Sequence, residues 1–284
     1  MSKCKVNSGL VDKDVHAIYR DVKGVAKTQR QEEINRWLSP SDPSTNYNKA
    51  LKQRQEGTGL WILKISLFEK WQTKKNSFLW FHGIPGCGKT ILSSTIIEHL
   101  ERTYLDHPLL YFYFDFNDSR KQTLDDAVRS LITQLHYKRK NTEDLLDSLF
   151  ASHDGRRQPS CKSLCEVFSR MIDQAKRVYV VIDALDECPV RKELLLWIET
   201  IQLGQRNVHL LVTSRLEHDI ELVLCRMAHE EENIVPIQGD LIKNDICQYI
   251  RTRVRTGHGL KRWKSKPDVL DEIESRMIEK ADGM

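Results

Sequence analysis

Long apolar runs are missing from these 284 residues. The strongest stretches, LLYFYFDF and RVYVVIDAL, have the length of buried strands, well short of the roughly 18 apolar residues that cross a bilayer. The N-terminal MSKCKVNSGLVDKD lacks the apolar core of a secretory signal. No membrane partner is expected. An excess of one charge is missing too: 44 basic residues face 40 acidic ones, for a net charge of +4. That balance does not demand nucleic acid as a partner. A cysteine framework is also absent. The seven cysteines (Cys4, Cys87, Cys161, Cys165, Cys188, Cys225 and Cys247) are odd in number and irregular in spacing. Cys161 and Cys165 sit one helical turn apart without further ligands at zinc-like spacing, so reduced thiols in the cytoplasm are the expectation. Internal repeats and low-complexity tracts are lacking as well.

What remains is an ordinary globular composition, 40% hydrophobic and 30% charged, enough for one large domain or one domain with a helical extension. Apolar residues at helical spacing predict a helix over 12–38. SPSDPSTNYN, with two prolines, reads as a linker or turn from Ser39 to Asn48. NKALKQRQE is a second helix, ending at Gly57-Thr58-Gly59, and a third runs over about 60–71. From Asn76 the pattern changes. FLWFHG, LLYFYFDF, RVYVVIDAL, NVHLLVTSR and ENIVPIQ read as strands, with helices between them over 90–104, 123–150, 161–176, 193–203 and 217–228. Apolar runs alternating with helices predict an α/β fold: a five-stranded parallel sheet covered by helices on both faces. N-terminal helices precede it and a C-terminal helical extension follows Leu241. The expected division is 1–50 for the N-terminal helical segment, 51–238 for the sheet domain and 239–284 for the start of a helical subdomain.

The stretch FHGIPGCGKT, from Phe81 to Thr90, carries the chemistry. Gly83-Ile84-Pro85-Gly86-Cys87-Gly88-Lys89-Thr90 fits the phosphate-loop pattern of a P-loop NTPase, between a predicted strand and a predicted helix. Glycines let several amides curl around one anion, and the helix start adds partial positive charge. Lys89 is expected to reach the β- and γ-phosphates and the Thr90 hydroxyl to ligate Mg²⁺. Ile91 completes the nucleotide-binding stretch. The bland reading of the loop is a strand-to-helix turn.

RVYVVIDALDE ends a buried strand with Asp183, Asp186 and Glu187. Asp183, at the carboxyl edge of the strand, would hold Mg²⁺. The next position, where many P-loop ATPases carry a glutamate, is Ala184. A hydrolytic carboxylate must then come from Asp186 or Glu187, and spacing leaves the choice open. Both also fit a cap for the following helix. Arg215, at the end of NVHLLVTSR, would sense a γ-phosphate; the bland alternative pairs it with Glu217 or Asp219. RTRVRTGHGLKRWKSK, with seven basic residues over 251–266, reads as a solvated helix face and loop rather than a nucleic-acid surface.

WLSPSDPSTNYNKAL, EGTGLW, FLWFHGIPGCGKTILSSTIIEHL, VVIDALDEC, LLVTSR and NDICQYI together resemble the NACHT-type, or nephrocystin-like, nucleotide-binding domains of fungal signalling proteins. These are STAND-class P-loop NTPases related to NOD-like receptors. The resemblance implies that the strand ending at Arg215 lies between the phosphate-loop strand and the Asp183 strand. It implies ATP or ADP with Mg²⁺ as cofactors, ADP holding a closed state and ATP an open one, and a homo-oligomer through this domain in a full-length context. It implies that Gly57-Thr58-Gly59 and Trp61 lie over the nucleotide. Animal members usually have glycine where Ala184 stands. Relatives continue past Met284 into winged-helix and repeat regions, so a truncated chain is expected. A slow switch is the function implied; a nucleotide-binding scaffold and a conventional ATPase with real turnover are the alternatives.

Overall fold

A computed structural model describes residues 25, 28–138, 143–204, 207–228 and 233–281. Five strands, β1 (Ser77–His82), β2 (Leu109–Tyr113), β3 (Val178–Asp183), β4 (Val208–Ser214) and β5 (Ile234–Pro236), form one parallel sheet in the order β2-β3-β4-β1-β5. β4 therefore lies between the phosphate-loop strand and the Asp183 strand, as the resemblance implied.

Period-2 alternation sends successive side chains of each strand to opposite faces. Phe78 and Trp80 of β1 enter one core together with Val178, Val180 and Ile182 of β3. Leu79 and Phe81 enter the other, with Tyr179 and Val181. The first core is covered by α1 (28–38), α5 (Leu124–Lys138), α6 (Glu143–Ser152), α7 (Cys161–Asp173), α8 (Arg191–Gly204) and α9 (His218–Met227). The second is covered by α2 (Ser44–Gln53), α3 (Ser66–Thr73) and α4 (Lys89–Thr103). With both faces buried, these strands need no polar side, which is why they read as unbroken apolar runs.

Two local expectations are corrected. The proline-rich stretch is not linker through Asn48: α2 begins at Ser44, with Pro43 at its N-cap position and helical φ of −76°. Proline fits the start of a helix, where its missing N–H costs nothing, and the Asp42 carboxylate accepts the Ser44 N–H at 2.8 Å. The helix placed over 60–71 is two pieces, a 3₁₀ turn at Leu60–Lys64 and then α3. Of the helix expected over 12–38, the part before residue 28 lies outside the described residues, residue 25 excepted.

Lys121, 3% exposed, fastens α2 to the loop after β2. Its ammonium donates to Thr45 Oγ1 and Asn46 Oδ1, each at 2.5 Å. Asn46 in turn donates to Asp115 Oδ2 at 2.9 Å. At the C-terminal end, α10 (Asp240–Thr256) and α11 (Pro267–Ala281) build a small core of their own around Ile250, Val254 and Leu270. Two arginines of the basic stretch pair across these helices. Arg251 and Arg255 donate to Glu274 on α11, both at 3.1 Å, and Arg255 also to Asp271 at 2.8 Å. Among the described residues, no helix is long and apolar enough to cross a membrane.

Candidate functional site

β1 delivers the loop 83–88 at the carboxyl edge of the sheet, where open α/β sheets hold ligands. Close packing requires Gly83: a Cβ there would lie 2.7 Å from Cys87 Sγ and 3.0 Å from the Ile237 carbonyl. Gly86 and Gly88 have φ of +83° and +95°, conformations that turn the loop into a cradle and strain any L side chain. No side chain caps α4, so the first amides of that helix are left to an external acceptor. The Lys89 side chain arches back over the loop, its Nζ donating to the carbonyls of Gly83 at 2.6 Å and Ile84 at 2.9 Å.

Asp183 ends β3 at 2% exposure. Burying a carboxylate costs several kcal/mol unless its oxygens are hydrogen-bonded. Three hydroxyls serve them: Ser93 and Thr213 donate to Oδ1, each at 2.6 Å, and Thr90 to Oδ2 at 2.7 Å. Burial nevertheless holds the carboxyl above its ordinary value, with the three hydroxyls and Lys89 pulling the other way. Thr90 and Asp183 thus form a hard-oxygen pair beside the phosphate cradle. Two protein oxygens of this kind fit Mg²⁺, which keeps several waters and takes phosphate oxygens for the rest. Among the described residues, no cluster of three or more His, Cys, Asp or Glu side chains forms a metal site by itself.

The position after Asp183 has a backbone conformation that suits glycine, and this chain places alanine there. Ala184 has φ of +59° and ψ of 54°, the left-handed region that costs an L residue roughly 1–2 kcal/mol. Its N–H donates to Thr213 Oγ1 at 3.0 Å, which helps hold the turn. That turn sends the two following carboxylates to different neighbours. Asp186 meets Arg215 beyond β4, accepting from its Nε at 3.0 Å and from its backbone N–H at 2.9 Å. Glu187 accepts the Phe116 N–H at 3.0 Å, beyond β2. Burial, then its acidic neighbours Asp186, Asp115 and Asp183, raise the Glu187 carboxyl, against the pull of that amide. The partners suggested for Arg215 by nearness in sequence belong to another residue: Arg191 takes Glu217 at 3.4 Å and Asp219 at 2.9 Å.

Next to the loop opens a cavity of about 830 Å³. Ile84, Pro85, Gly86, Cys87, Gly88 and Ile91 line one side. Thr58, Gly59 and Trp61 line it as well. The opposite wall was missed in the sequence. Asp245, Tyr249 and Arg253 line it at four-residue spacing along α10, one helical face. Asp245 Oδ2 accepts the Gly59 N–H at 2.6 Å, and Gln248 donates to the Glu56 carbonyl at 2.7 Å. These two bonds tie α10 to the segment 56–59. The i, i+4 spacing was visible, but nothing in it said that a helix some 190 residues away faces this segment.

The sequence model of the family described as Nephrocystin 3, N-terminal, matches residues 57–215, more than half of the chain. The chain belongs to this family. The matched nephrocystin-3 N-terminal stretch begins at the cavity wall, contains the phosphate loop and Asp183, and ends at Arg215. The chain is also similar to the vegetative incompatibility protein HET-E-1 of Podospora anserina, 26% identical over 202 residues. That similarity covers 68% of this chain and 15% of the relative.

Proposed function

We propose that this chain is a cytoplasmic nucleotide-binding switch domain of the NOD-like, STAND type, holding ATP or ADP with Mg²⁺ and hydrolysing ATP slowly. The observation that carries the reading is the Thr90–Asp183 pair set beside an amide-lined cradle that opens into a nucleotide-sized cavity. The amides of 83–88 and the Lys89 ammonium bind phosphates. Thr90 and Asp183 hold the metal. Thr58, Gly59, Trp61 and the α10 face enclose the base and ribose. When bound, the Mg²⁺–nucleotide supplies a polarised terminal phosphate, and water is the nucleophile. Glu187, raised toward the pH at which a carboxylate accepts a proton efficiently, orients that water. The same domain makes the homo-oligomeric contact in a full-length protein.

The first test is to purify the chain without added nucleotide, denature it and identify what is released by chromatography. Stoichiometric ADP or ATP is the expected result. An empty protein that also fails to bind added ATP with Mg²⁺ leaves a scaffold as the function. Fast steady-state turnover makes it a conventional ATPase.

Glu187→Gln is expected to lower ATP turnover by about tenfold or more while ATP affinity stays within about twofold. A phosphate-release assay beside a binding titration checks both. Asp245→Ala leaves the Gly59 N–H without its acceptor and loosens the wall. Nucleotide release, followed by stopped flow, should quicken about fivefold, the factor that matches one hydrogen bond of about 1 kcal/mol.

A further inference from the structure

The two acidic residues after Ala184 are not equivalent. Asp186 is 5% exposed at its side chain and is bonded twice to one residue, Arg215. A guanidinium has five donors. Asp186 takes Nε, and among the described residues no hydrogen-bond acceptor takes either Nη group, which leaves both for a second anion while the backbone bond fixes where the side chain starts. Arg215 stands one residue past β4, whose last residue, Ser214, pairs with His82 of the phosphate-loop strand. The Ser214 carbonyl also accepts the Gly83 N–H at 3.2 Å. Glu217 and Asp219, the acidic groups that would otherwise draw Arg215 outward, are occupied by Arg191.

We propose that Asp186 is a positioning residue, not the hydrolytic carboxylate: it holds Arg215 by Nε and the backbone amide so that the free edge of the guanidinium reads the third phosphate of a nucleoside triphosphate. This deepens the nucleotide-switch reading and rests on it. Discrimination between triphosphate and diphosphate then depends on the Asp186–Arg215 pair as a unit, whereas binding of either nucleotide depends on the phosphate loop.

The test is a double-mutant cycle on affinities rather than on turnover. ADP and a non-hydrolysable ATP analogue are titrated with Mg²⁺ into wild type, Asp186→Asn, Arg215→Gln and the double variant. Arg215→Gln is expected to weaken the analogue about tenfold and leave ADP within about twofold, since a charge-assisted contact is lost only with the third phosphate. Asp186→Asn should move the analogue-to-ADP ratio in the same direction by at least about half of that factor on a logarithmic scale, and the double variant should lose no more than Arg215→Gln alone. A purely structural Asp186 would lower both affinities together and leave the ratio where it was; that result overturns the proposal, as does an additive double variant. If Asp186→Asn does not fold, judged by circular dichroism, Asp186→Glu keeps the charge and shifts it by one methylene. An unchanged ratio in that variant also overturns the proposal. Failure of wild type to bind either nucleotide is a different result: it removes the switch reading itself, and this inference with it.

Discussion

Lys89→Ala should lose adenine nucleotide by about a hundredfold or more while the fold stays intact. The expectation follows from the place of the ammonium. It lies 2.6 and 2.9 Å from two carbonyls of the phosphate loop, over a cradle whose amides are neutral donors. A charge-assisted hydrogen bond to an anion contributes about 1.5–3 kcal/mol, and two such contacts at phosphate oxygens correspond to about two decades of affinity or more. Nothing comparable is lost from the fold. Lys89 belongs to neither sheet-face core, and the two loop carbonyls can turn to water. The unfolding temperature should therefore move by no more than about 2 °C. Titration with a fluorescent adenine nucleotide, beside a thermal melt, checks both halves. Unchanged affinity would take the loop out of the site; a large drop in melting temperature would mean that the lysine serves the fold instead.

The parts of this arrangement that were legible in the sequence are the parts set by short-range pattern. β1, β3 and β4 show as apolar runs because both sheet faces are buried. Gly83 through Thr90 shows as a motif because loop, lysine and hydroxyl must be contiguous to surround one anion. Long-range relations were legible only where a strand edge implied them. Asp183 was placed beside the loop on that ground, but its hydroxyl donors Ser93 and Thr213 were not foreseen. They come from the second turn of α4 and from the neighbouring strand β4, and serine or threonine at such positions has many ordinary uses. For Arg215 the bland alternative to phosphate sensing is a pairing with Glu217 or Asp219, which lie two and four residues away. Its actual partner, Asp186, is 29 residues away and arrives through the parallel pairing of β3 with β4. Pro43 was read as a breaker, although at a helix start its fixed φ is an asset. The α10 wall was hidden for the plainest reason: a helix with an apolar stripe needs a face against something, and the sequence does not say against what.

Asp183 carries the last expectation, and its sign runs against intuition. Asp183→Asn should disable the site and stabilise the protein that holds no nucleotide. The carboxyl is held above its ordinary value by burial, so protonation is favoured more in the folded chain than in the unfolded one. A group of this kind contributes its full share of stability only below the ordinary carboxylate value of about 4, and that share is lost as pH rises through the raised value. The carboxamide has no charge to desolvate and keeps the shape. Its oxygen can still accept from Ser93 and Thr213, and the Thr90 hydroxyl can rotate to accept from the new N–H₂. At neutral pH the variant should melt above wild type by a few degrees, roughly what a gain of about 1 kcal/mol yields in a protein of this size. The difference should shrink toward zero as pH falls to about 4. Over the same series, nucleotide affinity in Mg²⁺ should fall by at least about thirtyfold, because an amide is a poor ligand for a hard divalent cation. The affinity measured in EDTA should change little. Melting curves from pH 4 to 8, paired with titrations in Mg²⁺ and in EDTA, separate these effects. A variant that melts lower than wild type at neutral pH would show that the three hydroxyls more than offset the desolvation of the carboxylate. A variant that binds equally well in Mg²⁺ would remove Asp183 from the metal site. If both expectations hold, β3 keeps at its end a charge that the fold alone disfavours, and the function of that charge is to hold the metal.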